Sequence, residues 1–268
     1  MTRGAKRIVC LTEETTETLY LLGAQDHIVG ISGFTVRPAR ARKEKPKVSA
    51  FTSANIDKIT SLQPDLVLGF SDLQADIAAQ LVRAGIAVHV FNQRTVSGIL
   101  DMIAIVGTLV GEHDAANALV ECYEQRIAEA RNLSRTLTRR PRVYFEEWND
   151  PLISGIGWVS ELIDIAGGID CYADLAHHAH AKHRIIADPL DVVRRAPDII
   201  IGSWCGKRFR PEIVAQRPGW NEIPAIKTNA IFEIKSCDIL QPGPAALTDG
   251  LDQLQRIVLQ WAAGGTAS

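Results

Sequence analysis

Neither of the two glycine signatures that build phosphate sites occurs: no GxGxxG opens a helix and no GxxxxGK[ST] is present, which leaves dinucleotide and P-loop nucleotide binding without support. Cysteine is sparse, with five residues (Cys10, Cys122, Cys171, Cys205 and Cys237) and no CxxC, an odd and scattered set that suits reduced thiols better than a disulfide framework. No charge of one sign dominates. A formal net charge of -2 removes the basic footprint of a nucleic-acid binder. No apolar run is long enough to span a bilayer, and MTRGAKRIVCLT passes almost directly into a strand without an apolar signal-type segment. The expectation is therefore a cytoplasmic protein without membrane insertion. Aromatic residues make up only 6% of the chain, so where they fall carries information.

What is present is an α/β pattern. The 268 residues, 46% of them hydrophobic, suffice for two modest cores or one large one. The runs RIVCLT, IVGISG, DLVLGF and AVHVF alternate with the helical patterns TTETLYLLG, NIDKITSL, DIAAQLVRAG and SGILDMIAIVGTLVG, which predicts a mainly parallel sheet covered on both faces. HDAANALVECYEQRIAEARNLSRTL, from His113 to Leu137, has no Gly or Pro. Its Ala116, Leu119, Val120, Tyr123, Ile127, Ala130 and Leu137 form one apolar stripe. Such a helix would run roughly 35 to 40 Å. It predicts a spine between an N-terminal lobe (1–112) and a C-terminal lobe (139–268), with the linking helix over 113–138.

Two segments on either side of that helix echo each other. IDKITSLQPDLVLGFSD and LDVVRRAPDIIIGSWCG share a helix, Pro-Asp, a buried strand, a Gly and a loop bearing an aromatic ring. Pro64 matches Pro197 and Gly69 matches Gly202 at the same interval. Duplicated lobes are the simplest account, with chance similarity between α/β units as the alternative.

Ligands of open parallel sheets bind beyond the carboxyl ends of the strands. That rule selects Thr12 to Glu14, Phe34, Phe51, Phe70 to Asp72 and Asn92, then Glu146 to Trp148, Trp158, Ser203 to Lys207 and Cys237 to Gln241. Phe34, Phe51, Trp148, Trp158 and Trp204 all lie on these loops, as a clamp for a wide apolar ligand requires; the alternative is that the rings cap the sheet ends as core. His177, His178, His180 and His183 form a cluster that could ligate metal or haem iron, against a plain solvated loop. Cys205, in GSWCGK, could be a nucleophile whose thiolate Lys207 favours, although no His and Asp pair with it by sequence. The basic stretch TVRPARARKEKPKVSAF is either a solvated loop or an anion-attracting rim.

VGISGFTVRP, NIDKITSLQPDLVLGF, EEWNDPLISGIGWVSELIDIAGG and RPGWNEIPAIKTNAIFEIKS, in this order, resemble the cobalamin- and iron-siderophore-binding proteins of ABC importers, most closely the cobalamin-binding branch. The resemblance spans nearly the whole chain. It implies an α/β fold of the class III periplasmic-binding-protein type and a small-molecule ligand, a cobalamin-like corrinoid, haem or ferric chelate, held in a cleft between the lobes, with no cofactor required and no catalysis. By position it implies ligand contacts at Phe34, Phe51, Trp158 and Trp204. Arg184 stands where vitamin-binding members carry a further tryptophan, and Trp148, Cys205, Lys207 and Gln241 complete the candidate contacts.

The resemblance also implies docking to a permease through one acidic residue on each lobe. Asp57 occupies the first position, but the uncharged Leu190 occupies the second, so docking is not expected. The combined expectation is a cytosolic relative of the importer receptors. The rival expectations are an exported receptor and an enzyme using Cys205 or a histidine-bound metal.

Overall fold

The computed structural model describes residues 4–264. Among these residues ten strands form two separate five-stranded sheets. In the first, β1 (Ile8–Cys10), β2 (Ile28–Ser32), β3 (Lys47–Ser49), β4 (Leu66–Phe70) and β5 (Val88–Phe91) pair entirely in parallel, in the order β3-β2-β1-β4-β5. Every residue of β1 and β4 is buried, which is why these strands are continuous apolar runs rather than alternating ones. The helices Glu13–Leu21, Ile56–Ser61, Ala75–Arg83 and Val96–Val110 connect or follow the strands. Asn55 caps the second of these, its side chain accepting from the Lys58 amide at 2.8 Å.

The second sheet is mixed. β6 (Arg142–Asn149) pairs in parallel with β8 (Ile169–Asp170) near its start and with β9 (Ile199–Gly202), and antiparallel with β7 (Leu152–Ser154) near its end; β10 (Ile231–Glu233) lies beyond β9. β9 is wholly buried, as PDIIIG predicts. Its core gathers Tyr144, Tyr172, Trp204, Phe209 and Trp220. The closing helix, Leu251–Ala262, follows a π-helical turn at Ala246–Gly250, and its expected apolar residues Leu247, Leu251, Leu254, Ile257 and Val258 are all buried.

The long helix runs His113–Ser134, ending three residues before Leu137, and Ala116, Tyr123, Ile127 and Ala130 of its stripe are buried. The chain divides within this helix into two compact units. The first holds residues up to Gln93 and Ser97–Tyr123; the second holds Arg94–Val96 and everything from Glu124 onward. No helix among the described residues is long and apolar enough to cross a membrane.

Candidate functional site

In the first unit the carboxyl ends of β1, β3 and β4 are drawn together by one buried amide. Gln74 is fully buried; its Oε1 accepts from the Phe70 amide at 2.9 Å, and its Nε2 donates to the carbonyls of Phe51 at 2.8 Å and Leu11 at 3.4 Å. A Cβ on Gly69 would sit 2.9 Å from that Oε1, so glycine is what admits the side chain. Gln74 thus fixes the backbone that presents Phe51, a half-buried ring. Nothing in the local sequence marks Gln74 for this role, because its partners lie on three other segments.

Phe34 is the most exposed large apolar side chain of the chain's described part, at 65%. Its loop is held by backbone and side-chain bonds. The Gly33 amide donates to the Ser49 carbonyl at 2.7 Å, the Phe34 amide to Ser32 Oγ at 3.2 Å, and Arg42 Nη1 to the Thr35 carbonyl at 3.1 Å. The helix after β1 supplies two more ties: Glu13 Oε2 accepts from the Val36 amide, and Glu17 Oε1 from Arg37 Nε at 2.9 Å. Burial pushes the Glu13 carboxyl up to about 7, and Glu14, bonded to Thr12 Oγ1 at 2.6 Å, likewise to about 7.

In the second unit the ends of β6 and β9 carry charge inside the protein. Glu146, at 0% exposure, accepts from Arg217 Nη1 at 2.5 Å and Nη2 at 2.8 Å, from Trp204 Nε1 at 2.9 Å and from the Tyr144 hydroxyl at 2.9 Å. Glu147 forms a second ion pair, with Arg184 Nη1 at 2.6 Å, and the same guanidinium donates to the Ser154 carbonyl. Lys207 places its ammonium 4.6 Å from the centre of the Trp148 ring and 5.0 Å from that of Trp204, and bonds Asn149 Oδ1.

Several residues expected at a ligand surface lie inside. Trp158 is 3% exposed with Nε1 donating to the Ile239 carbonyl at 2.9 Å, and Trp204, also 3%, packs edge-on to Phe209. A Cβ on Gly202 would fall within the Phe209 ring, so this glycine lets Phe209 close over the strand end and seal Trp204 in. Arg184, at 1%, is committed to Glu147 and Ser154. Of the second-unit candidates, Trp148, Cys205, Lys207 and Gln241 retain exposed or half-buried surface.

Cys205 differs from expectation in its electrostatics. Desolvation, then the Glu147 charge, raises its thiol pKa, while Lys207 is engaged by Asn149 and the indoles. Among the described residues it has no imidazole hydrogen-bond partner. The histidine cluster also differs. His177 and His178 pack at 4.0 Å between ring centres, His178 and His183 at 5.5 Å, and His180 and His183 at 6.0 Å. These rings lie against one another, and among the described residues no group of three or more His, Cys, Asp or Glu is placed to hold a metal ion. This arrangement lends no support to the expected metal ligation by His177, His178, His180 and His183.

Asp57 is exposed in the first turn of the Ile56–Ser61 helix. Leu190 is 48% exposed at the start of the Leu190–Arg195 helix. Its neighbour Asp191 is occupied, bonding Arg195 Nε at 2.8 Å, Arg194 at 3.2 Å and the Tyr172 hydroxyl at 3.1 Å.

A profile described as "Periplasmic binding protein" matches residues 8–237. The ABC transporter substrate-binding lipoprotein YvrC of Bacillus subtilis is 27% identical over 93% of this chain and 78% of its own length. The cobalamin-binding protein of Halobacterium salinarum is 25% identical over 89% of this chain and 66% of its own. Among solved structures, the periplasmic heme-binding protein RhuT from Roseiflexus sp. RS-1, in apo form, superposes with a TM-score of 0.80 at 25% identity, over 95% of this chain and all of that one. The chain belongs to the periplasmic binding protein family.

Proposed function

We propose that this protein is a non-catalytic binding protein for a corrinoid or a closely related flat metal chelate such as haem, with Phe34 and Phe51 of the first unit as contacts. The observation that carries the reading is Phe34: a large ring, 65% exposed, held just beyond the carboxyl end of β2 on a loop braced by Glu13, Glu17, Arg42 and Ser49, where open parallel sheets take their ligands. The relatives that bind cobalamin and heme supply the ligand class. Cys205 without a base and the self-packed histidines give no support to the enzyme alternative.

The reading extends to location. Leu190 offers no charge to a permease and Asp191 is internally paired, which favours a cytosolic carrier, reservoir or sensor over a transport receptor. The likeness to a substrate-binding lipoprotein favours the second reading, an exported importer component. Fractionation of the native host separates the two: the protein in the cytosolic fraction supports the first, in the envelope fraction the second. The ligand itself is tested by titrating the purified protein with cobalamins, haem and ferric siderophores, following the visible bands and the heat. Silence across that panel contradicts the proposal.

A further inference from the structure

Acidic residues in the first turn of a helix are ordinarily solvated and interact favourably with the backbone dipole. In TEETTE the first-turn Glu13 and Glu14 are buried, at 4% and 1% exposure, and so is Glu17 one turn on, at 8%. Glu13 and Glu17 are four residues apart and so share one face of the helix, and they grip adjacent residues of the facing loop. The Val36 amide donates to Glu13, the Arg37 amide stabilises the same carboxylate, and the Arg37 guanidinium pairs with Glu17. Beside these ties lies an open space of about 510 Å³ lined by Glu17, Tyr20, Leu21, Val36, Arg37 and Arg40 among others. The loop is therefore held against the helix by polar bonds, with room to move.

We propose that Glu13 and Glu17 are positioning residues for the Phe34 loop, and that the Glu13 bond makes the loop's hold depend on pH, tight when the carboxylate is ionised and loose when it is protonated. The ligand consequence rests on the function proposed above; the loop consequence does not.

The loop's own bonds give the sign: the Val36 and Arg37 amides lower the Glu13 pKa, so the docked loop favours the carboxylate and protonation works against docking. From the helix, Glu14 and Glu17 both disfavour ionisation of Glu13, and burial disfavours it most. From the loop, Arg37 engages Glu17 and Arg42 the Thr35 carbonyl, while Arg40 lies 4.8 Å above the Tyr20 ring, whose hydroxyl donates to Glu44 at 2.6 Å. From β1, Cys10 is buried with its thiol pushed up to about 12, so it stays neutral. Glu13 Oε1 is buried without a partner, so ionisation leaves an uncompensated oxygen, which fits a carboxyl raised to about 7. Bonds to an ionised acceptor are about twice as strong as neutral ones. Between pH 8 and pH 6 the loop is thus expected to loosen roughly five- to tenfold.

Hydrogen exchange of the ligand-free protein at pH 6, 7 and 8, corrected for intrinsic rates, tests this on the segment around Val36. Protection is expected to fall roughly five- to tenfold from pH 8 to pH 6 in the wild type. In Glu13→Gln it is expected to stay at the wild-type pH 6 level throughout, and Glu17→Gln is expected to lower protection while keeping the pH dependence. A flat wild-type profile overturns the proposal even if neither variant folds, and so does an unchanged pH dependence in Glu13→Gln. Ligand affinity should follow the same profile. Binding that ignores pH overturns the proposal and leaves the binding function standing, whereas absence of binding at every pH overturns the function and leaves the exchange result to decide the loop.

Discussion

Replacing Arg217 by Met removes the only guanidinium bonded to the fully buried Glu146 among the described residues, while keeping most of the apolar stem. Tyr144 and Trp204 would remain as donors to the carboxylate, but its charge would lose its counterion, and the stacking of Arg217 over Trp220, 4.5 Å from ring centre to guanidinium carbon, would go as well. Removing one partner of a buried pair costs about 3–5 kcal/mol, far more than the ~1 kcal/mol of an exposed pair. With a urea m-value of about 2 kcal/mol/M, the midpoint falls by about 1.5–2.5 M. All five tryptophans lie in the second unit, so intrinsic fluorescence reports on the unfolding of that unit. The double variant Glu146→Leu with Arg217→Met should recover only part of the loss. It removes the stranded charge but leaves the Trp204 and Tyr144 donors without their acceptor, at about 1–3 kcal/mol each. A single-variant loss below about 1 kcal/mol would refute the claim that Arg217 sustains the buried carboxylate.

Glu14 is raised to about 7 by burial, so the folded chain holds a proton that the unfolded chain releases near pH 4.5; this contribution is fully present below that value and is lost as pH rises through 7. Glu14→Gln is therefore expected to be more stable than the wild type by about 1–3 kcal/mol at pH 8 and indistinguishable from it near pH 4, as read by denaturation at the two pH values. Trp158→Phe and Trp204→Phe should each cost about 1–3 kcal/mol through the lost buried hydrogen bond and ring volume. Both should leave ligand affinity within twofold in calorimetry, because neither ring reaches the surface.

The strands were legible because parallel sheets buried on both faces require unbroken apolar runs, and DLVLGF and DIIIG have no other simple reading. The long helix was legible from its stripe. The short β3, β7 and β8 were not, since two or three residues paired to β2 or β6 carry no period. At the sheet ends, the sequence left open whether the rings meet a ligand or cap the sheet as core, and the structure buries Trp158 and Trp204 while Phe34 stays exposed. Trp158 and Trp204 are polar-edged aromatics whose burial depends on Ile239 and Glu146, 81 and 58 positions away. Glu146 reads as a surface acid until Arg217, 71 positions on, is brought to it. The basic stretch resolves in part: Arg37 serves Glu17 and Arg42 the Phe34 loop, so these two act inward rather than as an anion-attracting rim.

Calorimetric and visible titration of the purified protein with cobalamin and with haem, beside Phe34→Ala, tests the central claim most directly. Phe34 is largely exposed, so the substitution should leave folding stability within about 0.5 kcal/mol. The account predicts a saturable band shift for one ligand in the wild type and an affinity at least tenfold weaker in Phe34→Ala. A wild-type protein that binds neither ligand, or a variant that binds as tightly as the wild type, would contradict it.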